Sequence, residues 1–464
     1  MGSLGKTKEL ENEPVQNGGG KIEERRHQWR FDTLQIHAGL EENPVHGHIT
    51  LPIYNTASFK FEKLSDMNNA LEDMSAPENK HLYSRLSNPT NDGAERRITA
   101  LEDGADGLVY SSGTAAVYAI LVSLAGMGDN VIVSTGLHGG TFKQFRKAGA
   151  QLGIEARFCD TNDLERVRQV INDRTRFIFV ESLANPKLSV PDYDGLIAIA
   201  HSPNLKIPLV VDATFTACGY FCQPAQYGAD IIVHSASKWI AGHGTTIAGA
   251  IVETGRSDWQ SNRTRFPRLH GEDPDLKKFD VSQDNWYKTA GDKAFIRYLK
   301  NDVLRDTGSC LSPYASQQLF IGLETLSVRC ERQEKTTRSI AHWLRAHPRV
   351  AWVGYLGFED HPYHHLALKY LQRGFGTVIT LGLIGGGEMA EKIIDAFKLI
   401  ITTTNVGDSK TLCNHHWSGV NKHYSKEENE EMGVTEDLIR LSLGLEDLQD
   451  IIWDFEQAFD QAQL

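Results

Sequence analysis

The chain has 464 residues, 40% hydrophobic and 23% charged, the balance of a globular protein long enough for two or three domains and a large core. A formal net charge of -12 argues against nucleic acid or an anionic membrane as the main partner, while small anions answer to local fields. Six scattered cysteines predict reduced thiols, and no apolar run approaches membrane-spanning length.

Residues 1–30 carry no apolar signal core, and Lys6 stands where a myristoylation site needs Ser or Thr, so a disordered leader on a cytoplasmic protein is expected. From Gly107 the chain alternates apolar runs with helix-period stretches. "GLVYSS", "DNVIVS", "TRFIFVES", "IPLVVDATF", "ADIIVHSAS" and "AGAIVE" are strand-like, and "LERVRQVIND" and "YDGLIAIAHS" are helical spacers. Continuous apolar strands separated by helices predict an α/β fold whose mostly parallel sheet is covered on both faces. After Tyr298 long amphipathic helices and the strand-like "GTVITLGLIGG" and "LIRLSLGLED" predict a smaller α+β domain. "SKEENEEM" reads as a solvated charge run. "HPYHH" (His361 to His365) and "NHH" (Asn414 to His416) read as loop histidines. Cys218 and Cys222 lack a second pair to complete a zinc site, so no metal is expected.

In a parallel sheet, ligands gather beyond the carboxyl ends of the strands, and polar residues of several chemistries follow these apolar runs. Ser111, Ser112 and Gly113 follow "LVY"; Glu181 and Asn185 follow "FIFV"; Asp212 and Thr214 follow "LVV"; Ser235, Ser237 and Lys238 follow "IIV". The "SSGTAA" segment opening a helix suits a phosphate, and Ser235 and Ser237 add hydroxyl donors. A buried Asp212 needs a cation or donor opposite it, which a protonated ring nitrogen or an arginine would supply. Lys238, crowded by positive charge or partly desolvated, is suited to a Schiff base. Phosphate, aldehyde and pyridine nitrogen together describe pyridoxal 5'-phosphate (PLP).

"YSRLSNPT", "SSGTAA", "ESLANP", "VVDATFTA", "HSASKWIAGH" and "LIRLSLGLED", in this order, resemble the Cys/Met-metabolism family of PLP enzymes, over nearly the whole chain from Phe31 to Asp447. The resemblance implies the PLP-dependent transferase fold type I, of the aspartate aminotransferase kind. It implies an N-terminal arm over 31–85 that contributes to a neighbouring subunit, a PLP-binding domain over 86–297 and a small domain over 298–464. By matching motif, Lys238 is the expected Schiff-base lysine and Asp212 the partner of the pyridine nitrogen. Gly113, Thr114, Ser235 and Ser237 form the expected phosphate cradle, with Tyr83 and Arg85 reaching it from a neighbouring subunit of a homo-oligomer, usually a dimer of dimers. Asn185 is expected at the ring hydroxyl and Thr214 along the ring. Arg440 is expected to hold the substrate carboxylate, with Asn405 and Tyr54 also at the substrate.

"TTTNVGDSKTL" (Thr402 to Leu412) favours the O-acetylhomoserine sulfhydrylase branch. That branch implies loss of acetate through a vinylglycine-type intermediate and addition of a nucleophile at Cγ. Two departures stand out. His138 in "LHGGTF" replaces the family's cofactor-stacking tyrosine, and "CNHHWSGVNKHY" (Cys413 to Tyr424) replaces its substrate segment "HPASTTH". Histidine stacks and titrates near neutrality, so His138 is a candidate catalytic and cofactor-facing residue. Trp417 and Tyr424 suggest either a reshaped acceptor pocket or a displaced loop. The expectation is a γ-replacement enzyme taking an amino-acid substrate and a nucleophilic co-substrate, a carbon or amine nucleophile in a biosynthetic pathway or sulfide. A plain sulfhydrylase, a methionine or cystathionine γ-lyase and a non-catalytic scaffold are the alternatives.

Overall fold

The computed structural model describes residues 29–40, 46–72, 81–279, 282 and 284–462, so nearly all of the expected leader lies outside the described residues. Seven strands form the central sheet: β1 (Asp106–Tyr110), β2 (Asn130–Ser134), β3 (Glu155–Cys159), β4 (Thr175–Glu181), β5 (Leu209–Asp212), β6 (Ile231–His234) and β7 (Gly249–Glu253). Their order is β1-β7-β6-β5-β4-β2-β3. The four pairings from β6 to β3 are parallel, and β7 runs antiparallel to both of its neighbours.

Side-chain alternation explains the unbroken apolar runs. Val109, Ile132, Ile178, Val180, Val211, Ile232 and Val252 belong to one core cluster, whereas Leu108, Val131, Val133, Phe177, Phe179, Val210, Val233 and Ile251 belong to another. Consecutive residues thus enter opposite cores, and both faces of the sheet must be apolar. The edge strand β3, "EARFC", carries no such run: Glu155 is exposed and its carboxylate accepts from the Arg157 guanidinium (2.8 Å). Apolar patterning therefore missed it, as it missed the strands at 350–354, 401–402 and 412–415 of the C-terminal domain.

That domain holds β8 (Val350–Gly354), β9 (Val378–Leu383), β10 (Ile401–Thr402), β11 (Leu412–His415) and β12 (Ile439–Ser442) in the order β10-β11-β12-β9-β8. The helices Gly386–Ala396 and Leu448–Gln461 bury Ile393, Ile394, Ile451, Phe455 and Phe459 against it. "SKEENEEM" forms a short helix, Lys426–Glu431, entered through a capping box between Ser425 and Glu428.

The long helix Leu326–Ala346 joins the two halves. Its buried Arg329 donates to the carbonyls of Trp239 (2.8 Å) and Gly322 (2.7 Å), and Gln333 donates to the Asp408 carbonyl (2.7 Å). At the N-terminal end, the helix Phe31–His37 inserts Phe31 into the main core, while Arg97 donates to the carbonyls of Ala38 and Ile36. Among the described residues no helix is long and apolar enough to cross a membrane.

One carboxylate anchors the chain that leads into Asn405. Asp454, fully buried on the last helix, accepts backbone N–H bonds from Lys398 (2.8 Å), Leu399 (3.0 Å) and Ile400 (2.8 Å). An Asp454→Ala replacement strands three backbone donors and is expected to cost about 3–5 kcal/mol. Denaturant unfolding monitored by circular dichroism checks this, and a loss below about 1 kcal/mol contradicts the accounting.

Candidate active site

The helix Gly113–Leu124 begins three residues after β1, capped by Ser112, whose Oγ accepts from Ala115 N (3.0 Å). Its first turn presses on the residue after β6: a Cβ at Gly113 would lie 2.8 Å from Ser235 Cα. Only glycine permits that approach, which brings free helix N–H groups and the Ser235 hydroxyl together. Ser237 is more committed, since its hydroxyl donates to Ala248 O (3.2 Å) and accepts from Ala248 N (2.9 Å).

Asp212 ends β5. Its Oδ1 accepts from Thr214 Oγ1 (2.5 Å) and Thr214 N (3.0 Å), and Thr214 Oγ1 in turn accepts from Ser235 N (2.8 Å). Burial raises the Asp212 carboxyl above the usual range, opposed by the Thr214 bonds and by nearby His234. His234 is itself fully buried, 2.7 Å from Glu102. Glu181, ending β4, sits in register with Asp212 across the sheet. Its Oε1 accepts from the backbone N–H of His138 (2.6 Å) and its Oε2 from that of Asn185 (3.1 Å). Burial, then the charge of Asp212, pushes the Glu181 carboxyl well above its usual range.

Lys238, half-buried, has its amine pushed down to about 8 by burial and by the Arg440 guanidinium. Its Nζ donates to Asn405 Oδ1 (2.5 Å), and the Asn405 carbonyl accepts from Arg440 Nη2 (3.0 Å). One neutral residue thus bridges two cations from different domains. Gly407, at φ +70, keeps this loop tight: a Cβ there would lie 2.6 Å from the Trp239 ring. Arg440, buried on β12, also donates through Nη1 to Asn185 Oδ1 (3.1 Å), while its Nε has no partner. Burial lowers its guanidinium to about 10.

His138 stands at the entrance of the helix Gly139–Lys143 on the wall of the cleft. Its ring is reached by solvent yet surrounded by protein; desolvation, then Lys238 and Arg440, push it down to about 4. The ring is therefore neutral at physiological pH. The 413–424 segment is a strand end followed by turns. Residues 412–415 form β11, Asn414 pairs with Arg440 across the sheet, and the Tyr424 hydroxyl donates to Gly139 O (2.8 Å), beside His138.

The loop reading of Asn414 to His416 is thereby corrected for Asn414 and His415, and holds for His416 in the turn that follows. His415 lies in a strand, and His416 is buried with Nε2 3.5 Å from Arg440 Nη1 and Nδ1 lacking a hydrogen bond of good geometry. Burial and Arg440 hold its ring well below the usual histidine range. In the other histidine group, His361 sits in a turn and accepts from Tyr363 N. There the loop reading is corrected for His364 and His365, which open the helix His364–Tyr370, with His364 Nδ1 2.7 Å from Leu356 O.

Lys238, Asp212, Thr214, Ser235, Gly113, Thr114, Asn185, Asn405, Arg440 and His138 thus surround one cleft through linked contacts. Tyr83 and Arg85 have other neighbours in the single chain: the Arg85 guanidinium donates to Arg305 O (2.6 Å) and sits 5.5 Å from the centre of the exposed Tyr83 ring. Tyr54 is held through its backbone at the start of the helix Pro89–Leu101, to Thr90 and Asn88. Glu181 and His416 had been given no role. The signal for Glu181 was an acid directly after an apolar strand, a group that must find donors; for His416 nothing local distinguished it.

The donor set fits PLP. A depressed amine, a buried carboxyl opposite, free N–H groups with a hydroxyl, and a buried guanidinium with an unpaired Nε face one space. The amine of Lys238 is expected to become available from about pH 8 rather than above 10. Attachment of PLP to the apoprotein, followed by absorbance across pH, measures this. In Asn405→Asp a carboxylate replaces the neutral bridge and favours the ammonium, so the midpoint should rise by about one to two units. An unmoved midpoint contradicts the geometry.

Residues 32–460 match the model of the Cys/Met metabolism PLP-dependent enzymes. The sulfhydrylase FUB7 of Fusarium oxysporum f. sp. lycopersici is 42% identical over 93% of this chain and 98% of its own length. The homocysteine/cysteine synthase of Saccharomyces cerevisiae is 40% identical over 93% of this chain and 97% of its own. The crystal structure of an O-acetylhomoserine (thiol)-lyase from Campylobacter jejuni, carrying pyridoxyl-lysine phosphate, superposes with a TM-score of 0.86 at 34% identity, covering 93% of this chain and all of the other. The fold is therefore the type I PLP-enzyme fold, its cofactor is PLP, and this chain belongs to the Cys/Met metabolism PLP-dependent enzymes.

Proposed function

We propose that the chain catalyses γ-replacement on O-acetyl-L-homoserine, expelling acetate and joining a carbon or amine nucleophile to Cγ. The observation that carries this reading is the Lys238–Asn405–Arg440 bridge, which sets a near-neutral amine beside a carboxylate-binding guanidinium. Bound PLP supplies the electron sink that makes the α- and β-protons of an amino acid acidic. Lys238, able to give and take a proton near pH 8, moves those protons. Arg440 orients the substrate carboxylate through donors that Asn185 and Asn405 leave free. Asp212, enclosed and held by Thr214, keeps the ring nitrogen protonated.

The choice of nucleophile draws support from the wall opposite. His138 is a neutral ring where the family places a tyrosine, and Tyr424 braces the next residue, Gly139. A neutral imidazole held at about 4 is a weak base, but its ring nitrogen can accept a hydrogen bond from an incoming protic nucleophile and orient it, a service that hydrosulfide does not need. Plain sulfhydrylase activity yielding homocysteine is the second reading, favoured by the likeness to the yeast homocysteine/cysteine synthase. A cytoplasmic homo-oligomer in which Tyr83 and Arg85 reach a neighbour's site belongs to the same proposal.

The test is acetate release from O-acetyl-L-homoserine by the holoenzyme, with and without sulfide, with products identified by mass spectrometry. Slow release of 2-oxobutyrate indifferent to sulfide, accelerated by an amine or an enolisable carbonyl compound, is expected. Fast sulfide-dependent homocysteine formation decides for the second reading. Lys238→Ala should lower turnover roughly a thousandfold or more. His138→Phe keeps an aromatic ring without the nitrogen acceptor, and is expected to retain PLP while losing about tenfold in turnover. Undiminished turnover in His138→Phe makes the ring a stacking surface only.

A further inference from the structure

We propose that Glu181 is the positioning residue that holds the His138 wall and the Asn185–Arg440 side of the cleft in register with each other. The inference rests on the reading that His138 faces the cofactor and Arg440 the substrate carboxylate.

Glu181 is a buried carboxyl at the end of β4 and, among the described residues, makes no hydrogen bond to a side chain. Its two oxygens go to two backbone donors, the N–H of His138 (2.6 Å) and the N–H of Asn185 (3.1 Å), on loops following different strands, β2 and β4. Each of those residues bears on a different partner. The His138 ring feels the charges of Lys238 and Arg440. The Asn185 side chain accepts from Arg440 Nη1 (3.1 Å). A single planar group therefore sets the separation of two loops that line the cleft from different sides.

The register of the sheet gives the clamp a fixed base. Glu181 pairs with Asp212 at the ends of adjacent strands, and Ser182 N donates to Asp212 O (2.8 Å). The carboxyl that positions the two loops is thus tied by main chain to the carboxyl that faces the ring nitrogen. Protonated or ionised, each oxygen of Glu181 still offers a lone pair to one N–H. A glutamine cannot do this, because its NH2 would face one of the two N–H donors and release that arm. An alanine releases both and leaves two buried donors unpaired.

The experiment uses holoenzyme of wild type, Glu181→Gln, Glu181→Ala, His138→Ala and the double variant His138→Ala/Glu181→Gln. Far-UV circular dichroism and thermal unfolding establish that each folds, and Glu181→Gln, nearly isosteric, carries the test if Glu181→Ala does not. The first readout is the circular dichroism that bound PLP acquires from its surroundings, recorded without substrate. It is expected to weaken in Glu181→Gln as it does in His138→Ala. It stands even if the chain does not act on O-acetylhomoserine, so failure of the positioning role and failure of the γ-replacement reading are told apart.

The second readout is kinetic, with acetate release from O-acetyl-L-homoserine. Glu181→Ala is expected to lower kcat about tenfold through the His138 arm and raise KM about tenfold through the Asn185–Arg440 arm. In the His138→Ala background, Glu181→Gln should lower kcat by no more than about twofold, because the group it positions is gone. A folded Glu181→Gln with wild-type cofactor dichroism, kcat and KM overturns the proposal. So do effects of the two substitutions on kcat that multiply in full.

Discussion

Two cations share one cleft, and a single neutral side chain stands between them. Lys238 comes from the large domain and Arg440 from the small one; Asn405 accepts from both, through its amide oxygen and its carbonyl. No carboxylate pairs directly with either among the described hydrogen bonds; burial lowers the proton affinity of both, and the Arg440 guanidinium lowers that of Lys238 further. An aspartate at position 405 would pair with the lysine and fix its charge. The neutral bridge keeps the amine near its neutral form while leaving the arginine, still cationic at about 10, free to hold an anion.

That bridge works only if the two domains are fixed relative to one another. The helix Leu326–Ala346 does this through buried Arg329 and Gln333, which reach the carbonyls of Trp239 and Asp408 on either side of the Asn405 loop. Gly407 lets that loop lie against Trp239, the residue after Lys238, and the Trp239 indole donates to Thr377 Oγ1 (3.1 Å). Asp454 secures the strand end that leads into the same loop. Structural and chemical roles meet here, since a shift of this loop would move the acceptor on which Lys238 depends.

The acidic residues are kept to the strand ends. Asp212 and Glu181 lie in register on adjacent strands, Asp212 satisfied by Thr214 of the following loop and Glu181 by Asn185 of its own following loop and by His138 of the loop after β2. The opposite wall carries neutral rings, His138 and His416, held uncharged by burial and by Arg440. Carboxyls at the strand ends and neutral rings on the opposite wall thus divide the cleft by local electrostatics.

Much of this was legible in the chain itself. Apolar strands buried on both faces, and the polar residues set one step beyond them, follow from the period-two alternation of side chains and from the dipoles at helix starts. They singled out Lys238, Asp212, Ser235 and Gly113 as candidates by local pattern alone. Strand β3 escaped because at its edge of the sheet most of its residues are only partly buried, so no apolar run announces it. Glu181, His416 and the Asn405 bridge escaped for a different reason. Their roles lie largely in hydrogen bonds between residues 24 to 167 positions apart, as in His416 to Arg440 and Lys238 to Asn405. Sequence determined which chemistries were available and on which strand ends they stood. Tertiary structure decided which charges face one another, because a proton affinity is set by the neighbours that packing brings within a few ångströms.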